Sequence, residues 1–234
     1  GYPRYVGAWL GGWIDLLPGP IRSALGAAGA VLPGETSHVR LLRYLRRFLM
    51  EANENDVERY GKWIQFFSAA QKHELYGDAM RDQLGNDPFP GLKGWFDGAA
   101  PIASRAAFAD IHSYLPDDLL VKVDVASMAH GLEARSPFLD HEFMEFAATI
   151  PAGMKLRHWQ TKAILKSAMA DRLPRELLHR PKMGFGVPID RWLREDLREL
   201  AYDTLLSDKA RARGLFRSVE IERLLDDHMS GRRA

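Results

Sequence analysis

Apolar and polar positions along this chain alternate with helical spacing, in short runs cut by proline and glycine. Tyr2 to Leu17 is an aromatic, glycine-interrupted segment of weak helical character, closed by a turn at Pro18-Gly19-Pro20. Ile21 to Leu32 predicts a small-residue helix, stopped by Pro33-Gly34. Thr36 or Ser37 would cap a stronger helix from His38 to Ala52, whose Val39, Leu42, Leu45 and Leu49 form one buried face. Asp56 to Leu84 predicts further helix, interrupted at Gly77, with Trp63, Phe66, Phe67, Ala70 and Leu75 as its apolar contacts. The prolines and glycines between Gln83 and Ala100 predict a linker. Beyond it, Phe108, Ile111, His112 and Leu115 mark one helix edge, and Phe143, Phe146, Ala147 and Ile150 another. Further helices are expected over Thr161 to Leu173, from Ile189 toward Leu206, and over Val219 to Met229. No run alternates with the period of two that a half-buried strand requires, so the expected class is all-α.

The chain is organised around Leu115 to Asp140. Pro116, Asp117 and Asp118 suit a helix start, where proline costs no hydrogen bond and carboxylates oppose the helix dipole. Gly131 is the natural stop. The intervening leucines, valines, alanines and Met128 lie almost all round the helix, a pattern that predicts burial on every side. Lys122, Asp124, Ser127 and His130 would then need internal partners, because an unpaired buried charge is costly. Pro137 forces Ser136 into an extended conformation. Glu133 and Arg135 therefore occupy a short exit segment before the next helix, which Asp140 caps. Taken singly, such residues are more often structural ion pairs than catalytic groups.

Composition narrows the picture. Thirty-two basic and 31 acidic residues leave a net charge of +1, which gives no reason to expect nucleic acid or membrane as a partner. The arginines at 40, 43, 46 and 47 share one helix and read as a solvated basic face. Without cysteine there is no disulfide, thiolate metal site or thiol nucleophile in the chain. Trp9 to Leu17 is apolar in part, yet broken by Gly11, Gly12 and Asp15 and too short to span a bilayer, and no signal-peptide pattern is expected before it.

A second stretch carries chemistry. Pro181 and Pro188 bracket Gly184 and Gly186 on a loop that also bears Arg180 and Lys182. Cations on a glycine-containing loop suit an anion such as phosphate, to which backbone N–H groups can add. Glycine-plus-lysine loops are common, so the loop alone is a weak signal.

The two strings together resemble the synthetase domain of glutamine-dependent asparagine synthetases. The first is Asp124-x-x-Ser127-Met128-Ala129-x-Gly131-Leu132-Glu133-x-Arg135-x-Pro137-Phe138-Leu139-Asp140, and the second Arg180-Pro181-Lys182-Met183-Gly184-Phe185-Gly186-Val187-Pro188-Ile189. The likeness is strong from Leu115 to Trp192 and weak on either side. It implies activation of an aspartate carboxylate by ATP with Mg2+, giving an acyl-adenylate that ammonia attacks. Glu133 would assist proton removal from ammonia, and Lys182 would stabilise the departing pyrophosphate, with Lys162, Arg180 and Gly184 also at the phosphates. Asp124 and Arg135 would orient Glu133.

Two parts of the family pattern are missing: the glutaminase cysteine and the Ser-Gly-Gly-x-Asp-Ser pyrophosphate loop. Gly1-Tyr2-Pro3 resembles the continuation of a family stretch that normally lies upstream. Residues 1–234 are therefore expected to be the C-terminal portion of an α/β pyrophosphate-loop domain, helical over 1–100 with a linker near 83–100, and bearing its motifs in 101–234. Expected partners are the N-terminal glutaminase domain, the pyrophosphate-loop segment, aspartate or a related carboxylate, and, in some assemblies, a second copy as a homodimer. The implied location is cytoplasmic. A fragment of this kind would be inactive alone. The alternative is a non-catalytic helical binding or assembly module that retains the fold.

Overall fold

The computed structural model describes residues 2–33, 40–84, 89, 91–157, 159–180 and 186–231. In chain order the first half forms α1 (Pro3–Ile14), α2 (Gly19–Val31), α3 (Arg40–Met50), α4 (Asp56–Ile64), α5 (Ala69–Leu75), α6 (Asp78–Leu84), α7 (Leu92–Phe96) and α8 (Ile102–His112). A π-helical turn, Leu115–Leu120, leads into α9 (Val121–Met128), followed by α10 (His141–Thr149) and α11 (Ala152–Lys155). Then come β1 (Leu156–Arg157), β2 (Gln160–Thr161), α12 (Ala163–Ala168), α13 (Arg175–His179), α14 (Ile189–Arg194), α15 (Arg198–Leu205), α16 (Asp208–Ala212) and α17 (Ser218–Met229). The described residues are thus mostly helical, as the spacing requires.

Several boundaries differ from the sequence expectation, each for a local reason. Pro18-Gly19-Pro20 starts α2 instead of ending a turn, because proline is free at the first helical positions. The helix expected over Asp56 to Leu84 breaks before Ser68 as well as at Gly77. Ser68 and Gln71 form a capping box, with Gln71 N donating to Ser68 Oγ at 3.2 Å and Ser68 N to Gln71 Oε1 at 2.8 Å. Phe66, expected to pack, is 99 % exposed in that break. The linker near 83–100 holds a helix of its own, α7. The antiparallel pair β1–β2, in register Leu156↔Thr161 and Arg157↔Gln160, was too short to show an alternating pattern. The candidate cap at Thr36 or Ser37 lies outside the described residues.

Two compact units divide the chain. The first comprises Gly1–Ile64 and Gly91–His179, the second Gln65–Pro90 and Arg180–Ala234. In the first unit α1 packs on α8 and α4, and α7 on α8 and α4. Ala8, Ala52, Tyr60, Phe96, Ala106 and Ala109 are buried there. Two charges share that core. Arg59 is only 1 % exposed and pairs with Asp15 (2.6 Å) while donating to the carbonyls of Glu51 and Glu54. Gly11 makes the arrangement possible, since a Cβ there would lie 2.6 Å from Arg59 Nη1. Asp110 accepts from Arg4 Nε (3.1 Å) and Nη2 (2.7 Å), from Tyr60 OH (2.6 Å) and from Tyr5 OH. Burial, then the Asp110 charge, push both phenols above their ordinary range, so they stay protonated as donors.

In the second unit the chain after α5 lies against the chain before α17. Gly77 N donates to Leu215 O (2.8 Å) and Arg217 N to Leu75 O (2.9 Å). A side chain at Gly77 would meet Gly214 O at 2.2 Å, so this interruption is a close backbone approach. Leu75, Ala201 and Leu225 are buried, and Arg223 pairs with Glu74 at 3.2 Å.

Candidate active site

The exit segment after α9 is built as the glycine requires. Gly131 has φ +66°, its N–H donates to Met128 O (2.9 Å), and Leu132 N–H reaches back to Ser127 O (3.1 Å). That pair of bonds is a Schellman closure, which satisfies the last carbonyls of the helix and turns the chain outward. Glu133 and Arg135 follow, extended and exposed. Arg135 Nε donates to Glu133 Oε1 (2.9 Å) and Nη2 to Oε2 (3.2 Å). The guanidinium meets the carboxylate in bidentate geometry. At this exposure the pair contributes little to stability. Asp140 then caps α10, accepting from Phe143 N at 3.0 Å.

The helix feeding this segment is not buried. No residue of α9 is buried, and Val125 is 65 % exposed. An all-apolar pattern demands a partner on each side, and the described residues cover α9 mainly through the π-helical turn that precedes it. Lys122 accordingly pairs with Asp118 on the surface (3.5 Å), and Asp124 is exposed, without an internal ion pair among the described residues. Ser127 Oγ bonds back to Asp124 O (3.2 Å).

Lys162 stands at the mouth of α12 with a left-handed backbone, φ +57°. It therefore precedes the helix that carries Lys166. Lys166 lines a cavity of about 530 Å³, with Arg157, Gln160, Ser167 and His179 as its other polar walls. Neither Glu133 nor Lys162 lines that cavity. Spacing alone gave no signal for it, because its walls come from α11, the β1–β2 hairpin, α12 and α13. Arg180 is exposed, in the second unit. Lys182 and Gly184 lie outside the described residues.

The asparagine synthase family model matches residues 1–234, the whole chain. This chain belongs to the asparagine synthase family. A putative glutamine-hydrolysing asparagine synthetase of Mycobacterium tuberculosis (strain ATCC 25618 / H37Rv) is 36% identical over 218 residues, covering 93% of this chain and 32% of that protein. Glutamine-hydrolysing asparagine synthetase 1 of Bacillus subtilis is 33% identical over 125 residues, 53% of this chain and 20% of the relative. A carboxyethyl-arginine beta-lactam-synthase of Streptomyces clavuligerus is 40% identical over 60 residues, 26% of this chain and 12% of the relative. The chain thus spans about a third of the length of the first of these. No solved structure matches.

Lys162, in the first unit, and Arg180, in the second, are exposed cations with no ion pair among the described residues. Among the described residues, no three His, Asp or Glu side chains gather to hold a metal.

Proposed function

We propose that the chain is part of an ATP-dependent amidotransferase that converts aspartate, or a related carboxylate, to its amide through an acyl-adenylate. Ammonia would come from glutamine, hydrolysed in an N-terminal domain beyond this chain. The observation that carries the reading is family membership over the full 234 residues, joined to an exposed Glu133 that Arg135 clamps at the end of α9.

In this reading ATP is a substrate, supplying AMP to activate the carboxylate and releasing pyrophosphate. Lys182, with Lys162 and Arg180, would neutralise the phosphates as charge builds on the leaving group. Glu133, as a carboxylate acceptor, would take a proton from ammonia as it attacks the acyl carbon. Arg135, bonded to both carboxylate oxygens, would orient Glu133. Asp124 would steady the helix from which the segment departs. No step is assigned to a metal. The apolar side chains of α9 would be covered by the remainder of the synthetase, and the chain alone would neither bind ATP usefully nor turn over. The acceptor stays open to carboxylates besides aspartate, since one relative bears a different product in its name.

The test uses the full-length protein with ATP, aspartate and either glutamine or ammonia. Glu133→Gln should abolish amide formation while keeping ATP–pyrophosphate exchange, and Lys182→Ala should lose exchange by about 2–4 kcal/mol of transition-state stabilisation. Amide synthesis at the wild-type rate in Glu133→Gln would remove Glu133 from the chemistry. Absence of exchange in the wild type with any carboxylate would leave the chain a non-catalytic module.

A further inference from the structure

The near-neutral total conceals a local imbalance. Between Asp15 and Glu51 the sequence contains one carboxylate, Glu35, against Arg22, Arg40, Arg43, Arg46 and Arg47. The two helices of that stretch, α2 and α3, hold no acidic residue at all. They pack antiparallel through small residues: a Cβ at Gly29 would lie 2.8 Å from Leu49 Cβ, and Ser23 bonds to Asn53 at 3.4 Å. This contact uses one edge of the apolar arc of α3. Further along the arc Phe48 packs on Trp63, with ring centroids 6.1 Å apart, and the first two turns are open. Leu41 (73 % exposed), Tyr44 and Leu45 share one face by the three-and-four spacing. At the end of α2, Val31 is 87 % exposed. Arg43 and Arg47 stand exposed alongside, four apart on one adjoining face. Arg47 spends one donor on Lys62 O (2.6 Å), while Arg22 Nε and Arg46 Nε are shielded from water without a hydrogen-bond partner among the described residues.

The geometry points to α3, with the adjoining end of α2, as a surface that docks on anionic phospholipid. Exposed aliphatic and aromatic side chains bordered by arginines, on a helix of low mean hydropathy, fit the boundary between headgroups and acyl chains. The arginine stems can lie along the apolar side while their heads reach phosphate. Charge complementarity selects an anionic surface, and the aliphatic strip selects lipid over nucleic acid, whose backbone offers it nothing to bury against. The arginine stripe, read from sequence as a solvated face, thereby acquires a partner. The inference does not depend on the amidotransferase reading.

The test is co-sedimentation of the full-length protein with vesicles of phosphatidylcholine alone or mixed with phosphatidylglycerol. Binding should require phosphatidylglycerol and weaken as salt screens the charges. Arg43→Glu and, separately, Leu41→Ser should each weaken partition roughly tenfold. Both are surface changes, and an unchanged thermal melt confirms that each variant is folded; should Arg43→Glu fail that check, Arg43→Gln replaces it. Equal binding to both vesicle types, binding to neither, or full binding by Leu41→Ser would overturn the inference. So would salt-sensitive binding to duplex DNA with none to vesicles.

Discussion

Removing the charge of Asp110 should damage the chain far from the residues of its signature. Its carboxylate, 4 % exposed, accepts from Arg4 twice, from Tyr60 and from Tyr5. Asp110→Asn keeps the shape but withdraws the charge, and its amide NH2 turns a donor toward donors. Arg4, itself largely buried, is then left uncompensated. Breaking a buried pair on one side costs about 3–5 kcal/mol, a large part of the roughly 5–15 kcal/mol that holds a domain together. Tyr60→Phe removes a single bond to a charged acceptor and should cost about 1.5–3 kcal/mol. The double variant should cost less than the sum by about 1 kcal/mol, because an amide in place of the Asp110 carboxylate already serves Tyr60 poorly.

Urea unfolding followed by tryptophan fluorescence measures all three, with Cm falling and the slope unchanged. Asp110→Asn within about 0.5 kcal/mol of wild type, the range of an ordinary surface change, would refute the reasoning. Additive costs for the pair would refute the claim of a shared acceptor. The consequence reaches the site through one path: Asp110 lies on α8, which leads through the π-helical turn to α9 and so to Glu133.

Glu51 should make stability depend on pH. Burial raises its carboxyl from 4.5 to about 7, against the opposing pull of Arg47 and Lys62, and its Oε2 is shielded without a hydrogen bond among the described residues. A raised pKa favours the folded state below the unfolded value, and that advantage is lost as pH climbs through about 7. Glu51→Gln should therefore gain on wild type as pH rises between those limits, by about 1–2 kcal/mol once solvent access is allowed for; melts at pH 4 and pH 8 that shift alike would contradict this. The two structural glycines should separate in the same assay. Gly131→Ala faces open space and costs only its left-handed backbone, about 1 kcal/mol, whereas Gly77→Ala must push Gly214 away and should cost visibly more.

What the sequence disclosed is whatever short spacing encodes. Gly131 as a stop, Asp140 as a cap and the helix runs near Phe143 and Val219 are decisions made within four or five residues, and the structure repeats them. The Arg4–Asp110 pair and the Arg59–Asp15 pair join residues 106 and 44 apart, and no local pattern marks them. The same holds for the cavity at Lys166; the interruption at Gly77 was legible, but its reason, the distant backbone carbonyl of Gly214, was not. The helix expected over Thr161 to Leu173 is shorter, because Lys162 takes a left-handed backbone and α12 begins only after it. The signature residue Glu133 was legible because its placement needs only a glycine stop, a proline and a nearby arginine.

The exposed α9 carries the remaining argument. Its pattern demands burial, yet Val121, Val125 and Met128 are open in a chain about a third as long as its Mycobacterium tuberculosis relative. If the rest of a synthetase covers that face, one substitution should have two costs. Val125→Asp in the 234-residue chain adds a charge to an exposed site and should change stability by less than about 0.5 kcal/mol. In the full-length protein the same aspartate would be buried without a partner, at a cost of several kcal/mol. Asp124→Ala serves as the control, because in the isolated chain its carboxylate is exposed and its loss should be silent. Paired melts of both variants in both contexts decide the matter. A Val125→Asp change that is silent in the full-length protein would mean the helix stays open there. Glu133 would then stand on a free surface, and a water-excluded site for amide formation would have to be sought elsewhere.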